Sequence, residues 1–219
     1  MDPKIIREQA VREAKVSLIF DAARKIFSEK GFFEARLEDI AAAAGFSKAS
    51  LYTYYTDKEE IFMSLAIRDL ENLFHKLESS ANPAVSFLKN LESMLVTIFS
   101  FFGENFGLLL SISNFQTMCR YHQDRMSEKH KLLFAELPSK FNHIITQQVM
   151  LLKAARKRNE ITSKINDEQL AMYMSALVRG ILFQWQLCGK MGDVKLEIEQ
   201  LLKFLAHGLG CRLTAETVG

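Results

Sequence analysis

The sequence predicts an all-α protein in two parts. A three-helix domain on a helix-turn-helix plan spans 1–58, and a larger helical domain spans 59–219. Three observations predict this. Only 10 Gly and 3 Pro interrupt 219 residues. No stretch sustains the period-two alternation of a half-buried strand. Apolar residues recur instead at helical spacing, and at 48% hydrophobic content they suffice for one large or two small cores.

Charge and cysteine usage narrow the function classes. Residues 1–60 carry 10 Lys and Arg against 11 Asp and Glu. That excludes a broad basic coat for non-specific nucleic-acid binding. A specific reader needs positive charge only where it touches phosphate, so Glu29, Glu34, Glu38 and Asp39 are expected to face away from such a contact. Cys119, Cys188 and Cys211 are widely spaced and odd in number, which fits a reducing cytoplasm rather than a disulfide framework. The first residues are charged, so no secretory leader is expected.

Residues 1–15 carry Arg7, Arg12 and Lys15 and read either as a solvated helical extension or as a basic arm reaching a groove or phosphates. Val16 to Lys30 is amphipathic, with Ile19, Ala23, Ile26 and Phe27 on the buried stripe and Gly31 as its stop. Phe32 and Phe33 follow, one of them expected to plug the base of the three-helix unit. Two short helices come next. Leu37, Ile40, Ala41 and Ala44 share a face of the first, and Gly45 supplies the corner. Ser47 caps the second, and Leu51 points inward. Thr56-Asp57-Lys58-Glu59 is a capping-box pattern opening a further helix. A helix of about two turns is marginal alone. It makes sense as a probe presented by a packed base.

The runs A-A-R-K-I-F-S-E-K-G-F (22–32), L-E-D-I-A-A-A-A-G-F-S-K-A-S-L-Y-T-Y-Y (37–55) and D-K-E-E-I-F (57–62) closely resemble the N-terminal domain of the TetR family of bacterial transcriptional regulators. The resemblance covers about residues 16–62; the remainder matches the family only in length and helical character. It implies that Lys48, Ala49, Ser50, Tyr52 and Thr53 face DNA, that Tyr54 stands where the family usually has a phosphate-contacting histidine, and that Lys58 matches a phosphate-binding lysine. Ser47 and Arg36 flank this set. Physical chemistry supports these roles independently. Hydroxyls and a lysine on a short helix suit phosphates and base edges, and a small Ala49 permits contact with a thymine methyl. Ala35 departs from the family's Thr or Ser, expected to cap the second helix; losing that cap should cost about 1 kcal/mol, with Arg36 compensating at the phosphate. Tyr55 replaces a phenylalanine and is expected in the core.

Glu59 to Ser79 is a longer amphipathic helix broken by Asn82-Pro83; the resemblance implies that it links the two domains. Residues 84–119 are the most apolar part, with Glu104 the only formal charge between Glu92 and Arg120. A membrane span needs about 20 apolar residues, and Gly103-Glu104-Asn105 and Gly107 cut the run short of that. Composition alone favours a dry core, whereas the resemblance implies an effector cavity. Phe87, Phe99, Phe102, Phe106, Phe115 and Met118, with Trp185, are its candidate walls, and Glu104, Asn105, Asn114 and Gln116 its candidate polar anchors. They suit a small, bulky, largely apolar ligand.

Arg120 to Asn159 reads as one helix or two, with Pro138 a start or a kink. Cys119, His122 and His130 are too few for a metal site, and no metal or other cofactor is expected. The basic run 153–158 reads as a solvated helix end. Asn166 to Gln169 is a second capping box, opening the helix 167–188 that Gly189 and Gly192 close. The last helix is 194–211. The apolar surplus on these two helices predicts pairing across a two-fold axis as a four-helix bundle. A homodimer would set two probes about 34 Å apart for the half-sites of a double-stranded DNA operator. The chain has no H-E-x-x-H, P-loop or G-x-S-x-G that would mark an enzyme. A protein-binding adaptor on the same fold is the other alternative.

Overall fold

The computed structural model describes residues 2–82, 84–104 and 127–209, without the side chains of 134 and 137–141. Eight helices lie among them: α1 (Pro3–Glu34), α2 (Leu37–Ala43), α3 (Lys48–Tyr52), α4 (Lys58–Ser80), α5 (Phe87–Glu104), α6 (Glu128–Lys157), α7 (Asp167–Cys188) and α8 (Val194–Leu209). No strand occurs among the described residues. Two compact units divide inside α4, between Asp69 and Leu70, rather than at its start; the first also takes in 127–136.

The first unit closes around one apolar cluster. Ile19, Ala23, Ile26 and Phe27 of α1 meet Ile40 and Ala41 of α2, Leu51 of α3, and Ile61, Phe62 and Leu65 of α4. Phe32 is the plug that the sequence anticipates. Its ring lies 5.9 Å from Phe27 and 5.0 Å from Phe62, while Phe33 remains exposed. Edge and tilted ring contacts of this kind add to the area they bury. Helix α1 takes in the helical extension anticipated over 1–15: Asp2 caps it, accepting the Lys4 N–H at 2.9 Å, and Pro3 suits its first turn. Residues 3–15 are thus helical, though exposed. Gly31 interrupts the helix at φ 74°, ψ 168°, a conformation that only glycine adopts without strain. Arg24 ties α1 to α4 through both Asp69 oxygens, at 2.5 and 2.7 Å. The hydrogen bond to Asp69 raises the Arg24 pKa above its ordinary value, against burial.

Helix α4 opens one residue later than the Thr56 pattern suggested. Asp57 accepts the Glu60 N–H at 2.8 Å, and Glu60 reaches back to the Thr56 N–H at 2.9 Å. The start of α6 docks here. Lys129 pairs with Glu60 at 2.6 Å, and His130 meets Asp57 at 3.0 Å.

In the second unit α5 packs against α8. Phe99 meets Trp185 at 5.2 Å, and both are buried. Buried Asn90 pins the loop after α4: its amide donates to the Asn82 carbonyl and accepts the Asn82 N–H, each at 2.8 Å. A single helix passes through position 138, so α6 is neither split nor begun there. The run 153–158 is a clamp rather than a solvated end. Lys153 pairs with Glu168, Arg158 with Glu160, and Arg156 with Asp167 and the Ser163 and Ile165 carbonyls. Asn166 caps α7, accepting the Gln169 N–H at 2.7 Å. Leu170, Met174, Val178, Leu182 and Trp185 of α7 are buried, whereas Tyr173, Leu177, Phe183 and Leu187 lie on exposed positions, as do Leu196 and Phe204 of α8. Cys188 at the end of α7 is exposed as well.

No helix among the described residues is long and apolar enough to cross a membrane. None of these residues forms a group of three or more His, Cys, Asp or Glu able to hold a metal; Cys119 and His122 lie outside them.

Candidate nucleic-acid interface

The interface is built around a five-residue helix. Leu51 is 0% exposed and fastens α3 to the core of the first unit. The turn before it reverses at Gly45, whose φ is 74°. The Phe46 N–H then returns to the Ala41 carbonyl at 2.8 Å. Ser47 caps α3 as expected, its hydroxyl accepting the Ser50 N–H at 3.1 Å. With Leu51 inward, Ser47, Lys48, Ala49, Ser50, Tyr52 and Thr53 all lie exposed.

Charge on this face is already engaged. Lys48 forms an ion pair with Glu38 of α2 and lies 5.9 Å over the Tyr52 ring. That hydrogen bond raises the lysine's pKa and lowers the carboxyl's. Glu38 therefore sits beside the reading face rather than turned from it. Asp39 holds Lys30 at 2.8 Å and accepts the Arg36 N–H at 3.4 Å. Arg36, not Ala35, is the N-cap of α2, and its side chain is exposed. Ala35 is 1% exposed, so the missing hydroxyl at that position leaves no cap unfilled.

Lys58 departs most from its expected role as a phosphate ligand. Its ammonium donates to the carbonyls of Phe32 and Phe33 at 3.0 Å and of Ala35 at 2.9 Å, and it lies 4.9 Å over the Phe32 ring. An ammonium has three donors, and all three are occupied. Lys58 is the clasp of the α1–α2 corner. Tyr54 is half-buried, its ring 6.0 Å from Phe46 and 5.7 Å from the Arg12 guanidinium. Tyr55 is buried against Phe20, and burial pushes its phenol up to about 12.

The second unit holds an apolar cavity of about 90 Å³. Phe102 lines it with Leu73 and Ile98. Phe87, Phe99 and Trp185 are core instead, and Phe106, Phe115 and Met118 lie outside the described residues. Of the expected anchors, Glu104 is exposed and the other three fall in the same undescribed stretch. The polar wall comes from residues that sequence reasoning missed: Asn142, Gln148, Ser175 and Arg179. Gln148 is 2% exposed. It accepts from the Ser175 hydroxyl at 3.2 Å, while its amide nitrogen faces only the Met94 sulfur at 3.7 Å. A glutamine set among Ile144, Ile145 and Leu152 was the available clue.

A capped five-residue probe seated on a trihelical core, with hydroxyls and a lysine outward, defines a helix-turn-helix DNA-binding unit. The family profile "Bacterial regulatory proteins, tetR family" matches residues 19–65, the segment that builds it. Residues 19–65 thus carry the DNA-binding segment of that family, and the chain resembles its transcriptional regulators. Its likeness to the uncharacterized HTH-type transcriptional regulator YfiR of Bacillus subtilis is 31% identity over 81 residues, 37% of this chain and 38% of that protein. The HTH-type transcriptional repressor BepR of Brucella suis is 25% identical over 75% of this chain and 77% of its own length. Among solved structures, the transcriptional regulator FadR from Bacillus subtilis in complex with stearoyl-CoA shares the fold. Its TM-score is 0.69 at 17% identity, covering 88% of this chain and 98% of that one.

Proposed function

We propose that the chain is a homodimeric repressor that leaves a palindromic double-stranded DNA operator when a small, largely apolar ligand enters the second unit. It is a cytoplasmic DNA-binding protein and not an enzyme. The observation that carries the reading is the outward face of α3 and its caps, where Ser47, Lys48, Ala49, Ser50, Tyr52 and Thr53 are all accessible, with Tyr54 half-buried after it and Arg36 exposed at the start of α2. Base edges and phosphates are their chemical complements.

Two further observations support the assembly and the trigger. Tyr173, Phe183 and Leu187 of α7 and Leu196 and Phe204 of α8 are large apolar side chains left in solvent, which suits burial against a second copy. A cavity of about 90 Å³ is smaller than the 150 Å³ cavity that holds benzene in another protein. A bulky ligand would therefore bind only a widened state. That difference in affinity between states is what shifts an equilibrium. The FadR relative holds stearoyl-CoA, an amphipathic acyl compound, which fits apolar walls with Arg179 and Gln148 at hand.

Selection of bound fragments from a random DNA pool tests the reading; a palindrome is the expected product, and a pool left unenriched would refute it. Phe204→Glu together with Leu187→Glu should convert the dimer to monomers in sedimentation. A panel of fatty acids and apolar drugs should contain members that raise the melting temperature and release the operator.

A further inference from the structure

Much of the positive charge of the first unit is tied down, including Lys48 and Lys58, two of the three cations expected at DNA. Arg24, Lys30 and Lys48 are paired with Asp69, Asp39 and Glu38, and Lys58 is held by carbonyls. The N-terminal extension of α1 is different. Lys4, Arg7, Arg12 and Lys15 line a groove of about 830 Å³ that reaches Thr53 and Tyr54 at the end of α3. Positions 4, 7, 8, 11, 12 and 15 of this lining share one helical face, and Ile5 and Gln9 flank it. Four of the six are cations, and Glu8 is the only acid among the six. Arg12 lies 5.7 Å over the Tyr54 ring, which fixes the extension beside the probe.

We infer that this groove is a phosphate-binding arm of the DNA interface. It would hold the backbone flanking the bases that α3 reads, through Lys4, Arg7, Arg12 and Lys15. The inference rests on the DNA-binding reading above and adds residues to it. Three features carry it: cations on one exposed face, their concentration next to the probe, and a concave shape open along its length. An acidic peptide would meet the same charge, but only a duplex seated on α3 brings phosphates to Thr53 and Tyr54 in the same event.

The test uses the full chain with the operator selected by the wild type. Arg7→Ala with Lys15→Ala removes two cations that have no packing role; Arg7→Lys with Lys15→Arg keeps the charge. Affinity is measured across a salt series. Each lost phosphate contact flattens the slope of log K against log salt by about 0.9, so the double alanine variant should be shallower by roughly 1.8 per arm engaged. Between 50 and 200 mM salt the wild type should then lose more affinity than the variant by about tenfold for each arm engaged. Phosphate contacts carry no sequence information, so the selected sequence should be unchanged. The charge-keeping variant should follow the wild type. Equal slopes for wild type and alanine variant, with helical content and melting intact, would overturn the arm alone. A wild type that selects no sequence would overturn the DNA reading and the arm together. A wild-type slope left unchanged by shortening the duplex to the bases under α3 would also sink the arm, because the flanking backbone is then absent.

Discussion

Replacing Lys58 separates two roles that the resemblance had merged. As a phosphate ligand, Lys58 would matter only when DNA is present. As the clasp of the α1–α2 corner, it matters to the free protein. Lys58→Met keeps most of the stem and removes the ammonium. Three carbonyls then lose a donor, and Phe32 and Ala35, which own two of them, are buried. Hydrogen bonds to a charged group contribute about 1.5–3 kcal/mol each, so two that water replaces poorly set the scale. Freeing a long side chain returns about 2 kcal/mol of rotamer entropy. The net loss should be about 1–4 kcal/mol, which lowers the melting midpoint by roughly 2–16 °C in a chain of this size. Lys58→Arg should recover only part, because a planar fork cannot address three converging carbonyls as an ammonium does. Thermal unfolding followed by far-UV circular dichroism reads both variants without DNA. A Lys58→Met melting curve that overlays the wild type, with affinity for operator lost, would refute the clasp and restore the phosphate role.

Three more outcomes follow from other sites. Gly31→Ala should destabilise by about 1–3 kcal/mol through backbone strain alone, since nothing lies within 4 Å of the added methyl. An unchanged denaturation midpoint would deny the strained φ. Ser47→Ala should cost about 1 kcal/mol and speed amide exchange at Ser50, whereas Ser47→Asp should keep the cap. Glu60 sets an acid limit. Burial pushes its carboxyl up, but Lys129 and Thr56 outweigh burial, and the folded pKa lies below the ordinary 4.5. Its contribution is therefore complete above that ordinary value and is lost as pH falls through the lowered one. Melting temperature measured down through about pH 4 should fall less steeply in Glu60→Gln than in the wild type.

The reading unit was legible because its signals are local. Ser47, Gly45 and Leu51 each act within a few residues, through a cap, a corner and an inward position, and each stands where the sequence placed it. The errors arose where one residue serves a distant partner. Lys58 reaches carbonyls more than twenty positions back, and Glu38 meets Lys48 across a turn, so neither role has a period or a motif to announce it. Arg156 is similar, since its carbonyl partners belong to the next loop. The cavity was harder still. Phenylalanine content marks an apolar region but cannot distinguish wall from core, and Phe99 and Trp185 proved to fill space against each other. Gln148 was the better clue, because a buried amide within an apolar stripe requires a partner.

The bond between Glu38 and Lys48 makes the probe selective before any base is read. A carboxylate already occupies the ammonium, so an arriving phosphodiester must displace it. Loose encounters along a duplex supply an anion at variable distance and seldom complete that exchange. A backbone held in register by the neighbouring hydroxyls supplies one repeatedly at the same point. If α3 reads DNA as proposed, the resident acid would subtract more from wandering attachment than from the seated complex.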